Sequence, residues 1–561
     1  MRRIPVTLAL VASCAVPLAA QQAPRAIVVG RPVSDSLASD GVHPYTVELR
    51  ANQFVAASVD QHSMDVVVTV KAPDGSTVRR VDVSARGPEP FQFESEQAGR
   101  YTIELTPFEE QTGRYTLLID RVERVATRPA DRVDQIMGQY ANARTPGVVV
   151  GVVRGGDLTF SRAFGAADLT HAIPFRVETR TNIGSTSKQF TAFAIHLLAQ
   201  RGLLSLDDDV RRHIPELPDL GQTVRIRHLL THTSGYREFL NALALGGRRI
   251  DNGDWVERSE IIRLVQRQPE LQNDPGAEWN YNNTAFSLLA QIVERVTGEE
   301  YPEWMRVNVF EPLGMRNTLV RAEPSMIVAN SAQGYAPTDE GAWRNAPDLA
   351  GAMGAGGMYT TVGDLARWMR NFRRGTVGGA GFLDAMTQRF VLNDGDTTDY
   401  GHGLFVDEYR GLRRVHHGGA DIAHRSQFLY FPELDAGVVV LSNNATANVG
   451  LLADQVVDVF FADRLAPRDE ETEAPAAGEP FDPANFDIAD FDGFAGRYAL
   501  VEAPAFVMAF TIEGDTIFAQ ATGQPRVPIF ATSDSTFDLR VVEASLTFHR
   551  GADGRADSLT L

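Results

Sequence analysis

The chain has 561 residues, 43% of them apolar and 22% charged. That composition excludes a disordered or fibrous protein, and the length exceeds what one core can serve, so two to four domains are expected. A formal net charge of −19 argues against non-specific nucleic-acid binding, and a single cysteine, Cys14, rules out an intrachain disulfide.

Residues 1–20 read as an export signal. Arg2 and Arg3 form a positive start, Ile4 to Ala12 is apolar but too short to span a bilayer, and Ala19 and Ala20 offer a cleavage site. Val11-Ala12-Ser13-Cys14 also fits a lipoprotein cleavage box, so Cys14 is the alternative start of a lipid-anchored chain. No later stretch is apolar for 18 residues, so no transmembrane helix is expected. The expected location is periplasmic or extracellular.

Residues 26–124 alternate apolar and polar side chains between turn signals, which predicts an all-β sandwich. Val66–Val70 and Val78–Val83 flank Ala72-Pro73-Asp74-Gly75 as a hairpin. Gly99–Leu105 and Gly113–Ile119 repeat one pattern, a glycine turn followed by an alternating strand. No titratable cluster marks this region, which reads as an accessory module.

Residues 127–466 mix α and β. Gly147–Val153 is a buried type of strand, and Asp157–Gly165 pairs with it after Gly155-Gly156. After Ser185, apolar Phe190, Phe193, Ala194, Leu197 and Leu198 predict an amphipathic helix closed by Gly202. Ala285 to Val296 predicts a second, closed by Gly298, and Thr361 to Asp364 opens a third. Ser426–Phe431 and Ala436–Asn443 are adjacent strands joined by a turn at Pro432 to Asp435. Residues 467–489 form an acidic Pro- and Ala-rich linker. Residues 490–561 predict a small β-meander or partial barrel with turns at Glu513-Gly514-Asp515 and Gly551–Gly554.

The chemistry concentrates at Ser185-Thr186-Ser187-Lys188. Only two of the 53 basic residues are lysine, Lys71 and Lys188; the rest are arginine. Arginine holds its proton under ordinary conditions, whereas a desolvated lysine can release it. A serine needs such an acceptor before it can attack a carbonyl, and positions i and i+3 share a helix face. Tyr281-Asn282-Asn283 precedes the second apolar helix, and His417-Gly418-Gly419 precedes the paired strands. In this order the three motifs resemble the signatures of the serine β-lactamase and D,D-peptidase superfamily, in its class C-like branch. Arg227–Gly235, Pro312–Met315 and Gly356–Thr361 are similar to that branch too. The resemblance covers about 340 residues and implies an α+β, β-lactamase/transpeptidase-like central domain with an antiparallel sheet and a helical region. No Gly-x-Ser-x-Gly elbow supports an α/β-hydrolase reading.

The resemblance implies that Ser185 is the nucleophile of an acyl-enzyme, with Lys188 and Tyr281 as proton-transfer partners. Lys188 would lower the Tyr281 pKa enough to make the phenol a base. Asn283 would bind a substrate amide and hold Lys188. Gly419 and His417 would line the substrate, His417 facing a carboxylate or carbonyl where many relatives have lysine. The backbone N–H groups of Ser185 and Ala420 would form the oxyanion hole. His232 reads as structural, and His228 with His232 lacks the glutamate of a zincin motif. A metal on His416, His417, Asp421 and His424 is not expected, nor is any cofactor. Where the family has a small residue, glycine and an aromatic after Asp421, this chain has Ile422-Ala423-His424, so that turn is expected to differ. The expected function is an exported serine hydrolase acting on a small-molecule or peptide substrate from the cell wall, a β-lactam or an ester. Esterase or D-peptidase ranks above β-lactamase. The alternative is a weakly active binding or sensing protein on the same scaffold; the oligomeric state is left open.

Overall fold

The computed structural model describes residues 23–39, 41–82, 87–108, 111–250, 253–338, 342–348, 350–467, 491, 493–499, 507–513, 516–521, 527–531, 535–539, 544–550 and 555–560. The signal segment with Cys14, the linker beyond residue 467, Val83, and the turns at Gly514 and Gly551–Gly554 lie outside the described residues. The chain divides into two compact units, one ending at Leu465 and the other starting at Ala466.

The N-terminal strands pack as two sheets. One holds Arg25–Ala26, His43–Leu49, Gly99–Pro107, Val66–Lys71 and Thr77–Val81 in that spatial order; the other holds Val33–Leu37, Gly113–Arg124, Gln53–Gln61 and Gly87–Ser95. The repeated glycine-strand patterns fall one in each sheet. Their alternate residues, Tyr101, Ile103 and Leu105 against Tyr115, Leu117 and Ile119, meet in one core, as the period of two requires. Helix α1 (Pro129–Met137) follows at once and sits against this layer. The Gln135 amide donates to Arg124 O at 2.8 Å, and Gln92 donates to Ile136 O at 3.0 Å.

The central sheet has six antiparallel strands in the order β2-β1-β6-β5-β4-β3. They are β1 (Val148–Arg154), β2 (Asp157–Phe164), β3 (Phe405–Tyr409), β4 (Leu412–Ala420), β5 (Arg425–Phe431) and β6 (Ala436–Ser442). Helix α2 (Lys188–Gln200), α3 (Asn283–Thr297) and α4 (Val362–Arg374) build the inner side; α5 (Val449–Phe460) and α1 cover the outer one. This double cover explains the unbroken valine run of β1. Val149 and Val153 face the inner core while Val148, Val150 and Val152 face the outer one. Gly151 lets α4 approach: a Cβ there would lie 3.0 Å from the Val362 Cβ.

Helix α2 departs from the expected one-sided stripe, being buried nearly all round from Lys188 to Leu198. The cause is cover on every side. Phe190 packs on Trp368 of α4 and on Phe310, at 4.6 and 6.0 Å between ring centroids. Helix α3 starts as its sequence demands, with the Asn282 side chain accepting from the Ala285 N–H at 2.8 Å, and it ends at Gly298 with φ +73°.

In the second unit, seven strands from Gly496–Ala499 to Ala556–Thr560 pair in sequence order as an antiparallel meander. Phe491, Phe494, Phe510, Phe537 and Phe548 fill its core.

Candidate active site

Ser185 lies in a single 3-10 turn, Gly184–Ser187, that runs directly into α2. In such a turn positions i and i+3 eclipse, which aligns Ser185 with Lys188 more closely than an α-helical turn would. Two glycines press this turn against the end of β4. A Cβ on Gly184 would lie 2.6 Å from the Ala420 nitrogen, and one on Gly419 would lie 2.0 Å from the Ile183 oxygen. The Ser426 hydroxyl donates to Ile183 O at 2.7 Å, and the Thr186 hydroxyl donates to His417 O at 3.1 Å. Sheet and turn are thereby locked with the Ser185 and Ala420 backbones side by side.

Lys188 has no exposed surface. Its Nζ lies 2.9 Å from Ser185 Oγ, 2.8 Å from Asn283 Oδ1 and 2.9 Å from Ala355 O. The rings of Tyr281 and Phe286 lie 4.8 and 5.6 Å away. Burial pushes the ammonium pKa down to about 7, against the smaller opposing pull of the Glu238 carboxylate. The Asn283 Oδ1 and the Ala355 carbonyl oxygen can only accept, whereas a serine hydroxyl can accept or donate. An ammonium therefore donates three bonds here, and a neutral amine donates two while accepting from Ser185. Both protonation states are satisfied without moving an atom.

Tyr281 lies within hydrogen-bonding range of Ser185, and burial pushes its phenol well above its ordinary value. This reverses the sequence expectation. Desolvation outweighs any help from the lysine, so the group poised near neutrality is Lys188 and the phenol stays protonated. His232 holds Tyr281 from both sides. Its carbonyl accepts from the Asn280 N–H at 2.8 Å and its Nδ1 accepts from the Asn282 N–H at 3.0 Å. The ring is fully buried at 4.3 Å from the Tyr281 ring, and its backbone sits at φ +61°, a region that non-glycine residues rarely occupy.

His417 lines a cavity beside Ser185 and is held neutral there. Burial, then nearby Lys188, push its pKa down to about 3. Its Nδ1–H donates to Gly418 O at 2.5 Å and its Nε2 accepts from the Tyr400 hydroxyl at 3.0 Å. Both ring nitrogens are engaged in this arrangement. Sequence reading missed Tyr400 and Glu238. Neither stands in a motif, and both arrive through tertiary packing.

Two cavities meet at Ser185. One, of about 440 Å3, is lined by Tyr281, His417, Gly419, Ala420 and Arg425; the other, of about 250 Å3, by Asn283, Leu240, Ile250, Asp348 and Asp421. The carboxylates of the second are balanced. Asp348 pairs with Arg321 at 2.7 Å and accepts from Asn182 at 3.2 Å; Asp421 pairs with His424 at 2.8 Å. Burial, with Asp421 adding, pushes Asp348 up to about 6. Asp421 Oδ1 accepts from the N–H groups of Ala423 and His424 at 2.8 and 2.5 Å, with no positive φ from Asp421 to His424. His416 turns instead toward Asp407, at 3.2 Å. Among the described residues no group of three or more His, Cys, Asp or Glu side chains converges on a point that could hold a metal.

Residues 130–459 match the family model described as Beta-lactamase. A penicillin-binding protein of Bacillus subtilis is 27% identical over 424 residues, covering 71% of this chain and 89% of that protein. A D-aminopeptidase of Gluconobacter oxydans is 28% identical over 54% of this chain, which spans 56% of that enzyme. The solved structure of an octameric penicillin-binding protein homologue from Pyrococcus abyssi superposes with a TM-score of 0.55 at 24% identity, over 76% of this chain and 97% of that one. Among the described residues no helix is long and apolar enough to cross a membrane.

Proposed function

This chain belongs to the Beta-lactamase family and is a serine hydrolase, and from that premise we propose that it is exported and cleaves an ester or amide through an acyl-enzyme on Ser185. The observation that carries this reading is the buried Lys188 amine on the Ser185 hydroxyl, with its proton near balance at neutral pH and every hydrogen bond satisfied in either state. As Ser185 Oγ bonds to the carbonyl carbon, its proton passes to Lys188 Nζ. The oxygen of the tetrahedral intermediate sits on the Ser185 and Ala420 N–H groups, each worth roughly 3–4 kcal/mol. Collapse breaks the bond to the leaving group, which takes a proton from the Tyr281 hydroxyl; the Lys188 ammonium then returns a proton to the Tyr281 phenolate and is again a free amine. Water repeats the sequence on the acyl carbonyl, returning Ser185 and releasing the acid. Asn283 fixes Lys188 and faces the acyl group in the smaller cavity.

D-amino-acid peptides and small esters rank above β-lactams as substrates. The D-aminopeptidase relative favours the former. Intact-mass spectrometry of wild type and Ser185→Ala, each mixed with a penicillin and with an activated D-alanyl ester, tests the reading. A lasting penicillin adduct with ester turnover, both absent in Ser185→Ala, is expected. Turnover that survives Ser185→Ala sinks it.

A further inference from the structure

Two buried ion pairs at the smaller cavity reach the two backbones proposed to hold the oxyanion. Asp348 accepts from Arg321 at 2.7 Å and from the Asn182 amide at 3.2 Å. Asn182 Oδ1 in turn accepts from the Gly184 N–H at 3.0 Å, one residue before Ser185. The second pair starts one residue after Ala420. Asp421 Oδ1 accepts from the Ala423 and His424 N–H groups, and its Oδ2 accepts from His424 Nδ1 at 2.8 Å. The other ring nitrogen, Nε2, donates to Ala332 O at 3.2 Å. Each nitrogen of His424 thus faces an acceptor, and only an imidazolium donates to both. The residue is 3% exposed, with the Tyr359 ring edge-on at 6.3 Å. Burial opposes the charge, but Asp421, the Ala332 carbonyl and Asp348 together outweigh it and raise the pKa. Arg425 closes the turn, its Nη1 donating to the carbonyls of Asp421 and His424 at 2.8 and 2.9 Å.

The two carboxylates share this space, since Asp421 adds to the effect of burial on Asp348. Each is tolerated because a cation sits on it, Arg321 on one and His424 on the other. Removing one cation leaves a buried charge unpaired beside a like charge, which is strongly unfavourable. The turn from Asp421 to His424 would relieve it by moving toward water, and Ala420 would follow. We infer that His424, acting through Asp421, is a positioning residue for the oxyanion hole, within a four-charge frame of Arg321, Asp348, Asp421 and His424 that fixes the Ser185 and Ala420 N–H groups relative to each other. The inference rests on the acyl-enzyme reading, which puts the oxyanion on those two groups.

The test compares full-chain wild type with His424→Phe, which fills the ring's space but donates nothing, with Asp421→Asn, which keeps an oxygen for the turn but loses the charge, and with the double variant. The measurements are kcat and KM for p-nitrophenyl acetate and the inhibition constant of phenylboronic acid, whose tetrahedral serine adduct mimics the oxyanion. Each single variant is expected to lower kcat by about tenfold or more with little change in KM, and to weaken the boronate by the factor lost in kcat/KM. The double variant is expected to be no worse than the poorer single one, because the pair acts as a unit. A folded His424→Phe with unchanged kcat, a loss confined to KM, boronate inhibition that does not follow kcat/KM, or additive losses overturns the inference. Hydrolysis that persists in Ser185→Ala marks failure of the acyl-enzyme reading alone. Nitrogen-15 NMR of the histidine-labelled chain reads the pair without turnover. The His424 ring, identified by its loss in His424→Phe, is expected to keep both nitrogen protons above the ordinary histidine pKa of about 6.5 and to lose one in Asp421→Asn. A ring that is neutral there in wild type, or unaffected by Asp421→Asn, overturns the inference.

Discussion

Lys188 puts the acid limb of the reaction near neutrality, and that limb can be measured. With its pKa held at about 7 by burial, the free-amine fraction is about one in eleven at pH 6 and about one in a hundred at pH 5. If the amine takes the Ser185 proton, kcat/KM for an activated ester falls by the same factors below its plateau above pH 8. The sign of a second perturbation follows. The Glu238 carboxylate favours the ammonium, so Glu238→Gln removes that support and lowers the Lys188 pKa further. Its limb must move to lower pH, leaving the variant relatively more active than wild type at pH 5 to 6. The assay is p-nitrophenyl acetate hydrolysis from pH 5 to 9 at constant ionic strength, with circular dichroism at each pH to exclude unfolding. A flat profile, or a limb near the ordinary lysine value of 10.5, refutes the assignment of Lys188 as base. A limb that moves up in Glu238→Gln refutes the electrostatic link.

Tyr281→Phe keeps the ring that packs on His232 and Lys188 but removes the proton for the leaving group. Amide turnover should fall by about 10²–10⁴-fold, while a p-nitrophenyl ester, whose leaving group needs no proton, loses far less; equal losses contradict the role. Gly419→Ala sets a methyl 2.0 Å from Ile183 O and 2.3 Å from Ser426 Oγ, so the strand must move off the Ser185 turn. The expected cost is about 1–3 kcal/mol in urea unfolding, with a roughly 10²–10³-fold fall in kcat as the Ala420 donor shifts. Asn443→Ala is purely structural. The buried amide accepts from Gly147 N–H at 2.6 Å and donates to Gln333 O at 2.7 Å and Ala166 O at 3.1 Å, and each orphaned group costs about 1–3 kcal/mol. A lowered urea midpoint with unchanged KM is expected.

What the sequence made legible was whatever rests on local spacing. The two faces of β1, the closing glycine of α3, the strand turn at Pro432 to Asp435 and the pairing of Ser185 with Lys188 all follow from local spacing. Spacing cannot report depth. Tyr281 and Lys188 are correctly brought together, yet which of them titrates near neutrality depends on how completely each is removed from water, and that is a property of α2 being enclosed on every side. The same blindness covers His417. Its register on β4 was readable, but the neutral state is imposed by burial and then by nearby Lys188, and its Nε2 is taken by Tyr400, 17 residues away in a stretch without a motif. Glu238 was missed for the same reason, because tertiary packing brings its charge to Lys188.

The lysine count gains its meaning here. Lys71, the other lysine, sits on the sandwich surface paired with Glu104 at 2.7 Å, so its charge has nothing to do beyond that contact. Every remaining basic side chain is arginine, which cannot give up its proton under ordinary conditions. Lys188 stands where a proton must leave and return during each acyl transfer, behind a wall that makes the neutral amine as comfortable as the ammonium. An arginine at 188 could accept nothing from Ser185, so the exchange would remove the one basic group here that can take up and return a proton.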